Sequence, residues 1–492
     1  MIQPLLKLYK KNSILSSISA VLNWDQETYM PRGAADFRAT QGAFLAEMAH
    51  ELVTSDRFRG CLSEHVDLAT GAIDPGITSP VDTANLKLAY REWVHANRVS
   101  KDWVVAMAET TSKAQLIWAD ARATNHFASF APILESLIQL TAQRAEAVGY
   151  VHEPYDALLD DHEPGMTTQY VSQLFAHLRP ILRAIIDRTA GRSVPLLPTG
   201  PFSIDRQERI SHDLLRRIGF DVSRGRLDRS THPFSTSFHP TDCRITTRFS
   251  DTDIMENISS TLHEGGHALY EQGIPEAWFG QPVGTSISLG VHESQSRLWE
   301  NIIGKSIPFW QTYLPILSTE FPEFADMSTH SFVAAINPVM PTCIRVSADE
   351  VTYNLHISVR FQIEQALFSR QLAVRDLPSA WNELMRSELG VVPATDREGV
   401  LQDVHWACGG FGYFPTYTIG NLMAAQFIEA AAHQIPRWSD HMAAGDWIPL
   451  TQWLNTAIHQ KGRSVTSDEL MRQVTGRSLD VSAFERYLNQ KF

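Results

Sequence analysis

Two histidines four residues apart are the first residues whose types and spacing could do chemistry. His263 and His267 stand in the run LHEGGHALYEQG, and this spacing puts both imidazoles on one face of a helix, where they can bind one zinc ion. Glu264 follows the first histidine, so its carboxylate can take a proton from a water that the zinc activates. The alternative is a buried helix whose two histidines are only hydrogen-bonded. The HExxH pattern predicts His263 and His267 as zinc ligands and Glu264 as general base.

A catalytic zinc site also needs a third protein ligand and an open position. The extended motif HExxHxxGxxH would place another histidine six residues after His267, but that position is Gly273. Glu293, in VHESQSRLWENIIG, follows an extended segment and a glycine and opens a helical pattern, so it is the best candidate. His292 is the competing ligand, and Glu293 could instead serve as a helix N-terminal carboxylate. The residues alone leave this choice open.

The elements that must position these residues are mostly helical. Two short segments, Cys243–Phe249 and Val283–Leu289, look extended, and they flank a long helix predicted over Asp251–Gln272. Apolar residues recur at helical spacing in segments 85–125, 130–149, 167–191, 205–218, 350–374 and 420–434. Turn-forming residues predict loops at 71–81, 194–202, 231–240 and 408–416. The sequence therefore predicts a mostly α protein with a small β element next to the zinc helix.

Composition narrows the functional classes. A chain of 492 residues, of which 43% are hydrophobic, can bury a large hydrophobic core and does not need disulfide bonds to stabilise it. Its four cysteines include no CxxC pair, which excludes a cysteine-only zinc site and gives no sign of a disulfide framework. The net charge of -13 argues against nucleic acid or an anionic membrane surface as a partner.

The beginning of the chain predicts the compartment. Lys7, Lys10 and Lys11 interrupt the first apolar residues, so we expect an amphipathic helix and no signal peptide there. No run of 18 apolar residues occurs anywhere, so no transmembrane helix is expected. The simplest prediction is a reduced cytoplasmic protein.

Six short motifs occur in order along the chain from residue 232 onward. They are HPF at His232–Phe234, DxRxT at Asp242–Thr246, HExxH at His263–His267, HESQ at His292–Gln295, IRxxAD at Ile344–Asp349 and GxxQDxHW at Gly399–Trp406. With these motifs, and stretches such as LNWDQETYMPRGA and YDALLDDHEPGMT, the chain resembles the carboxypeptidase Taq family, peptidase family M32. One departure is Gly265, because the family usually has a bulky residue there. Together with Gly266 it costs helix propensity, roughly 1 kcal/mol per glycine.

The resemblance implies a fold, an activity and partners. The fold would be a large helical gluzincin with a deep active-site groove, similar to neurolysin and angiotensin-converting enzyme. It would form one domain over residues 1–492, with two lobes around the groove as an option. The enzyme would release single amino acids from the free C-terminus of peptides with broad specificity. Zinc would be the cofactor, with cobalt as a substitute, the protein would be a homodimer, and Glu293 would be the third ligand.

The remaining site residues are predicted from the family resemblance together with the chemistry that a carboxypeptidase needs. A bidentate arginine suits a C-terminal carboxylate, and Arg345 of the IRxxAD motif is the first choice. A helical pair with Asp349 is its structural alternative. Arg244 is a second possible cation, with an ordinary strand arginine as the alternative, and His232 is expected to line the groove wall.

Oxyanion stabilisation needs a side-chain donor, and two residues are candidates for it. His405 and Tyr413 lie on the glycine-containing stretch QDVHWACGGFGYFP. A structural histidine and a core aromatic residue are the alternatives, and the sequence does not choose between them. Two other functions also remain open: an endopeptidase or dipeptidyl-cleaving gluzincin, and a silent helical interaction protein that keeps zinc for structure.

Overall fold

Helices dominate residues 2–492, the part of the chain that this computed structural model describes. The first nine helices are α1 Gln3–Thr28, α2 Ala35–Thr54, α3 Asp56–Ser63, α4 Pro80–Arg98, α5 Lys101–Thr124, α6 Phe127–Val148, α7 Pro154–His162, α8 Thr168–Thr189 and α9 Ile204–Arg217. The strands β1 Gly225–Arg229, β2 Ser235–His239 and β3 Asp242–Thr247 follow. The remaining helices are α10 Ile254–Gly273, α11 Leu289–Arg297, α12 Ile307–Glu320, α13 Thr329–Ile336, α14 Tyr353–Phe368, α15 Leu377–Leu389, α16 Pro415–Gln434, α17 Trp438–Ala444, α18 Ile448–Ala457, α19 Ser467–Thr475 and α20 Ser482–Lys491. The predicted mostly α fold is confirmed.

The chain divides into two compact units. Unit 1 contains the chain up to Ala96 together with Val194–Ile336 and Met423–Leu479, and unit 2 contains Asn97–Ser193, Asn337–Leu422 and Asp480–Phe492. The prediction of one domain with optional lobes stays a prediction. No helix within residues 2–492 has the length and apolar character needed to cross a membrane.

A small sheet in unit 1 supports the helix that carries the HExxH motif. The strand order is β1-β3-β2, with β1 parallel and β2 antiparallel to β3. Ile245 of β3 is fully buried, as is Ile258 of α10, and α10 packs against β3. The helix begins at Asp253, whose carboxylate accepts hydrogen bonds from the backbone N–H groups of Met255 and Glu256. This confirms the predicted β element and, to within three residues, the predicted helix.

Two predictions about extended structure are wrong. Val283–Leu289 is not a strand: the N–H of Val283 donates to the side chain of Asn85 rather than to a neighbouring strand, and Ser288 caps α11 through the N–H of Val291. The loop predicted at 231–240 contains β2, because Ser235–His239 pairs with β3 between two prolines. The composition of a short, polar, threonine-rich segment does not determine whether it pairs with a neighbouring strand.

Helical periodicity predicts where several helices occur but not where each of them ends. The segment predicted at 167–191 is α8, whose buried face includes Val171, Leu178 and Ile185. The segment predicted at 85–125 is two helices, because Ser100 accepts a hydrogen bond from the N–H of Trp103 and caps a new helix there.

Gly266 lets α10 and α11 approach until their backbones touch. A Cβ added at Gly266 would lie 2.5 Å from the carbonyl oxygen of Gln295 and 2.8 Å from the Cα of Ser296. Both are backbone atoms of the helix that carries Glu293. At Gly265 an added Cβ would meet only the side-chain ends of Ile218 and Leu215. The close packing that the paired glycines permit is therefore concentrated at Gly266.

Substituting each glycine by alanine tests this contact. Alanine gains helix propensity at both positions, about 1 kcal/mol. We expect Gly266→Ala nevertheless to destabilise the protein by about 1–3 kcal/mol, because overpacking forces the two backbones apart. Gly265→Ala is the matched control and should be close to neutral. Urea unfolding measures both, and a Gly266→Ala protein as stable as the control would contradict the account.

Candidate active site

Three side chains of unit 1 converge as a metal-ligand set. His263 and His267 come from α10 and Glu293 from α11, and one ligand atom of each lies within 4.8 Å of the others. The Nε2 atoms of His263 and His267 lie 3.8 and 3.4 Å from Oε2 of Glu293. Tetrahedral zinc with ligands about 2.0–2.2 Å from the ion holds them roughly 3.3–3.5 Å apart. The donor set therefore fits zinc without large movement.

The far side of His263 contacts a carboxylate that the sequence did not point to. Its Nδ1 lies 2.8 Å from Oε2 of Glu300. Arg297 joins this carboxylate to the ligand set, since its Nε donates to Oε1 of Glu293 at 2.6 Å and its Nη1 to Oε2 of Glu300 at 3.2 Å. Glu300 lies in a π-helical turn, Leu298–Ile303, that continues α11. The sequence signal that could have pointed to Glu300 is the spacing of glutamate, arginine and glutamate within Glu293–Glu300.

His292, the competing third ligand, faces His267 rather than the centre of the ligand set. Its Nδ1 lies 2.6 Å from Nδ1 of His267, and its Nε2 lies 2.9 Å from Oε1 of Glu271. Both of its ring nitrogens therefore have protein partners. The geometry favours Glu293, whose carboxylate faces both Nε2 atoms.

Buried carboxylates make the ligand set a site for a cation. Burial raises the pKa of Glu264 to about 7, with His263 opposing the rise and Glu293 and Glu300 adding to it. Burial lowers the pKa of His263, but Glu293 and Glu300 outweigh it and bring this pKa to about 9. At His267 burial dominates and lowers the pKa to about 3, so this imidazole is neutral and its nitrogen can bind a metal.

Arg345 lies in a buried charge cluster of unit 2. Its Nε donates to Oδ1 of Asp403 at 2.9 Å, and Arg360 donates to Oδ2 of the same carboxylate at 2.9 Å. Nη1 of Arg345 donates to the hydroxyl of Tyr353 at 3.0 Å. Burial raises the pKa of Asp403, but Arg360 and Arg345 outweigh it and hold this pKa well below its usual range. Two buried guanidinium groups thus share the carboxylate of Asp403.

The structural alternative, a helical pair of Arg345 with Asp349, is wrong. Asp349 accepts hydrogen bonds from the N–H groups of Val351 and Thr352, just before α14, and from the N–H of Met340. Arg345 lies in a short 3₁₀ turn before this point, so four-residue spacing does not bring the two side chains together. Asp403, 58 residues later in the chain, orients the arginine instead.

His405 and Tyr413 lie together on one loop of unit 2. Their ring centroids are 5.5 Å apart, and Nε2 of His405 lies 3.2 Å from the hydroxyl of Tyr417. Burial lowers the pKa of His405 to about 4, so its imidazole is neutral near pH 7. The structure thus brings both oxyanion candidates together without choosing between them.

Glu364 of α14 holds this loop in place at two points. Its buried carboxylate accepts from Nε1 of Trp406 at 2.7 Å and from the N–H of Gly412 at 2.9 Å. The hydroxyl of Tyr155 is its third donor, at 2.7 Å. Sequence reasoning missed this residue, because nothing in the chain near Glu364 indicates that its partners come from two distant segments.

Arg244 and His232, the other predicted substrate-binding residues, belong to unit 1. Arg244 on β3 donates to both carboxylate oxygens of Asp242, at 3.0 and 3.1 Å. Its guanidinium also lies 4.3 Å from the ring centroid of Trp24 and 4.7 Å from that of Phe238. His232 is exposed between β1 and β2. Their role in substrate binding stays a prediction.

Comparisons with known proteins match this fold over the whole chain. The family model of carboxypeptidase Taq (M32) metallopeptidases matches residues 4–492. Thermostable carboxypeptidase 1 of Thermus thermophilus is 39% identical over 506 residues, covering 100% of this chain and 98% of that protein. Carboxypeptidase 1 of Bacillus subtilis is 37% identical, with 99% and 96% covered. The crystal structure of an M32 carboxypeptidase from Deinococcus radiodurans has a TM-score of 0.95 at 36% identity, with 99% and 98% covered.

These matches define the class to which this protein belongs: it is an enzyme, a metallocarboxypeptidase. More narrowly, the chain belongs to the carboxypeptidase Taq (M32) family of metallopeptidases. The resemblance inferred from the six motifs is confirmed.

Replacing Asp403 tests the buried charge cluster. Asp403→Asn leaves two guanidinium groups buried without a counter-charge, so we expect a loss of about 3–5 kcal/mol in the free energy of unfolding near pH 7. Because the folded pKa of Asp403 is depressed, the difference from wild type should be complete above about pH 4 and shrink as the pH falls further.

The control is Asp440→Asn, which removes the exposed partner of Arg437. An exposed pair contributes at most about 1 kcal/mol. Urea unfolding at several pH values measures both variants. Equal losses in the two, or a loss at Asp403 that does not change with pH, would contradict the assignment.

Proposed function

We propose that this enzyme is a zinc-dependent carboxypeptidase that releases single amino acids, with broad specificity, from peptides with a free C-terminal carboxylate. The observation that carries the proposal is the convergence of Nε2 of His263, Nε2 of His267 and Oε2 of Glu293. Membership in a family of metallopeptidases supports it. Cobalt is proposed as a substitute metal. The cytoplasmic location and the homodimer stay predictions of the sequence.

The residues of unit 1 have complementary roles in this proposal. His263, His267 and Glu293 hold the metal. Bound zinc supplies Lewis-acid activation of a water and of the peptide carbonyl. Glu264 takes a proton from the attacking water and delivers it to the leaving amine.

The residues of unit 2 provide recognition of negative charge. Nε, Nη1 and Nη2 of Arg345 each make one contact with Asp403 or Tyr353. A guanidinium has five N–H donors, so donors remain for a substrate carboxylate. The presence of two guanidinium groups on one carboxylate, that of Asp403, supports this role and favours an exopeptidase. His405 and Tyr413 are proposed as the alternative donors to the oxyanion of the transition state.

Replacing the general base separates hydrolysis from metal binding. We expect Glu264→Gln to lower kcat by about 10²–10⁴-fold, because general acid–base transfer contributes a factor of that size. The variant should still bind about one zinc per chain, measured by elemental analysis, because Glu264 is not a ligand.

The control is Glu276→Gln, an equivalent change at an exposed residue of the same unit. It should leave both kcat and zinc content unchanged. Wild-type turnover by Glu264→Gln would remove Glu264 from its proposed role, and loss of zinc would show that it acts as a ligand.

A further inference from the structure

The two histidines of the proposed metal centre are supported in different ways. His263 contacts a carboxylate directly, through Nδ1 and Glu300. Nδ1 of His267 instead contacts another imidazole, that of His292, and His292 in turn contacts the carboxylate of Glu271. The two imidazole rings lie 4.5 Å apart between centroids and are inclined by 34°. Glu271 lies on α10, one turn after His267, so the chain of contacts returns to the helix from which it started.

Hydrogen-bond chemistry fixes where the protons lie in this chain. Two Nδ1 atoms 2.6 Å apart need one proton between them, so one ring donates and the other accepts. A carboxylate only accepts, so Glu271 requires the proton of His292 on Nε2. With a neutral His292 imidazole, Nδ1 of His292 is then the acceptor, and His267 must carry its own proton on Nδ1. This leaves the lone pair of Nε2 of His267 directed toward Glu293, as a metal ligand requires.

The opposite arrangement of protons would prevent His267 from binding the metal. If Nδ1 of His292 carried the proton, His267 would accept at Nδ1 and hold its own proton on Nε2, the atom that faces Glu293. Glu271 would then face an imidazole nitrogen that has no proton to donate. The carboxylate of Glu271 therefore favours the arrangement in which Nδ1 of His267 carries the proton.

We propose that Glu271 and His292 act as positioning residues that set the tautomer and orientation of His267 and thereby the affinity for the metal. This inference rests on the metal centre proposed above. His292 belongs to the HESQ motif, and in this account it prepares a ligand instead of being one. Partners of this kind typically change metal affinity by about 10–100-fold when they are removed.

The test is zinc affinity of the purified full-length protein, measured by competition with a chromogenic chelator. We expect His292→Phe to raise the Kd for zinc by about 10–100-fold. His292→Asn keeps an acceptor near the position of Nδ1, so its Kd should lie closer to that of wild type. Glu271→Gln should raise the Kd by a smaller factor. The double variant His292→Phe/Glu271→Gln should bind no more weakly than His292→Phe alone, because both changes break one chain.

His459→Phe is the matched control. His459 also packs against Tyr270, with ring centroids 5.1 Å apart compared with 5.4 Å for His292, but its Nε2 contacts Gln295. It should leave the Kd within about twofold, since it contacts no ligand. The electronic spectrum of the cobalt-loaded protein should change in His292→Phe and not in His459→Phe.

Each result has a defined meaning. An unchanged Kd in His292→Phe and Glu271→Gln would overturn the proposal, as would equal weakening by His459→Phe. If His292→Phe does not fold, as judged by circular dichroism, His292→Asn and Glu271→Gln decide the question. Glu293→Gln is measured alongside, because an unchanged Kd there would instead overturn the metal centre itself.

Discussion

The metal centre depends on how closely two helices of unit 1 approach each other. The HExxH helix and the helix carrying Glu293 touch through their backbones at Gly266, where no side chain larger than hydrogen fits. This contact brings the carboxylate of one helix to 3.4 and 3.8 Å from the imidazole nitrogens of the other. The glycine pair weakens the helix locally, and the burial of its apolar face against the sheet offsets that loss. Ligand geometry is thus a consequence of helix packing.

Charge is arranged oppositely in the two units. Around His263 lie the buried carboxylates of Glu264 and Glu293 and the half-buried carboxylate of Glu300, which together favour a cation. In unit 2 two buried guanidinium groups share the carboxylate of Asp403, which favours an anion. The chain as a whole carries a net charge of -13, so anion recognition depends on local structure and not on the overall charge. Desolvation makes such local charges far more effective than those at the surface.

The sequence predicted what local rules determine. Four-residue spacing placed His263 and His267 on one face, and helical periodicity predicted several of the long helices, such as α6, α8 and α9. The residues that the sequence analysis missed have partners that are distant in the chain and brought near by packing. Glu300 lies in a π-helical turn, and Asp403 reaches Arg345 from 58 residues away. The role of His292 also needed structure, because adjacent residues in HESQ could each have been the ligand. Only the packing of α11 against α10 decides which of them faces the two histidines.

The most direct test of the central claim compares a peptide with a free C-terminal carboxylate with the same peptide amidated, by mass spectrometry over time. Zinc content is measured on the same sample. We predict that the free peptide loses single residues stepwise from its C-terminus, that the amidated peptide is cut far more slowly, and that about one zinc per chain is bound. Equal cleavage of both peptides, or cleavage at internal bonds, would contradict it.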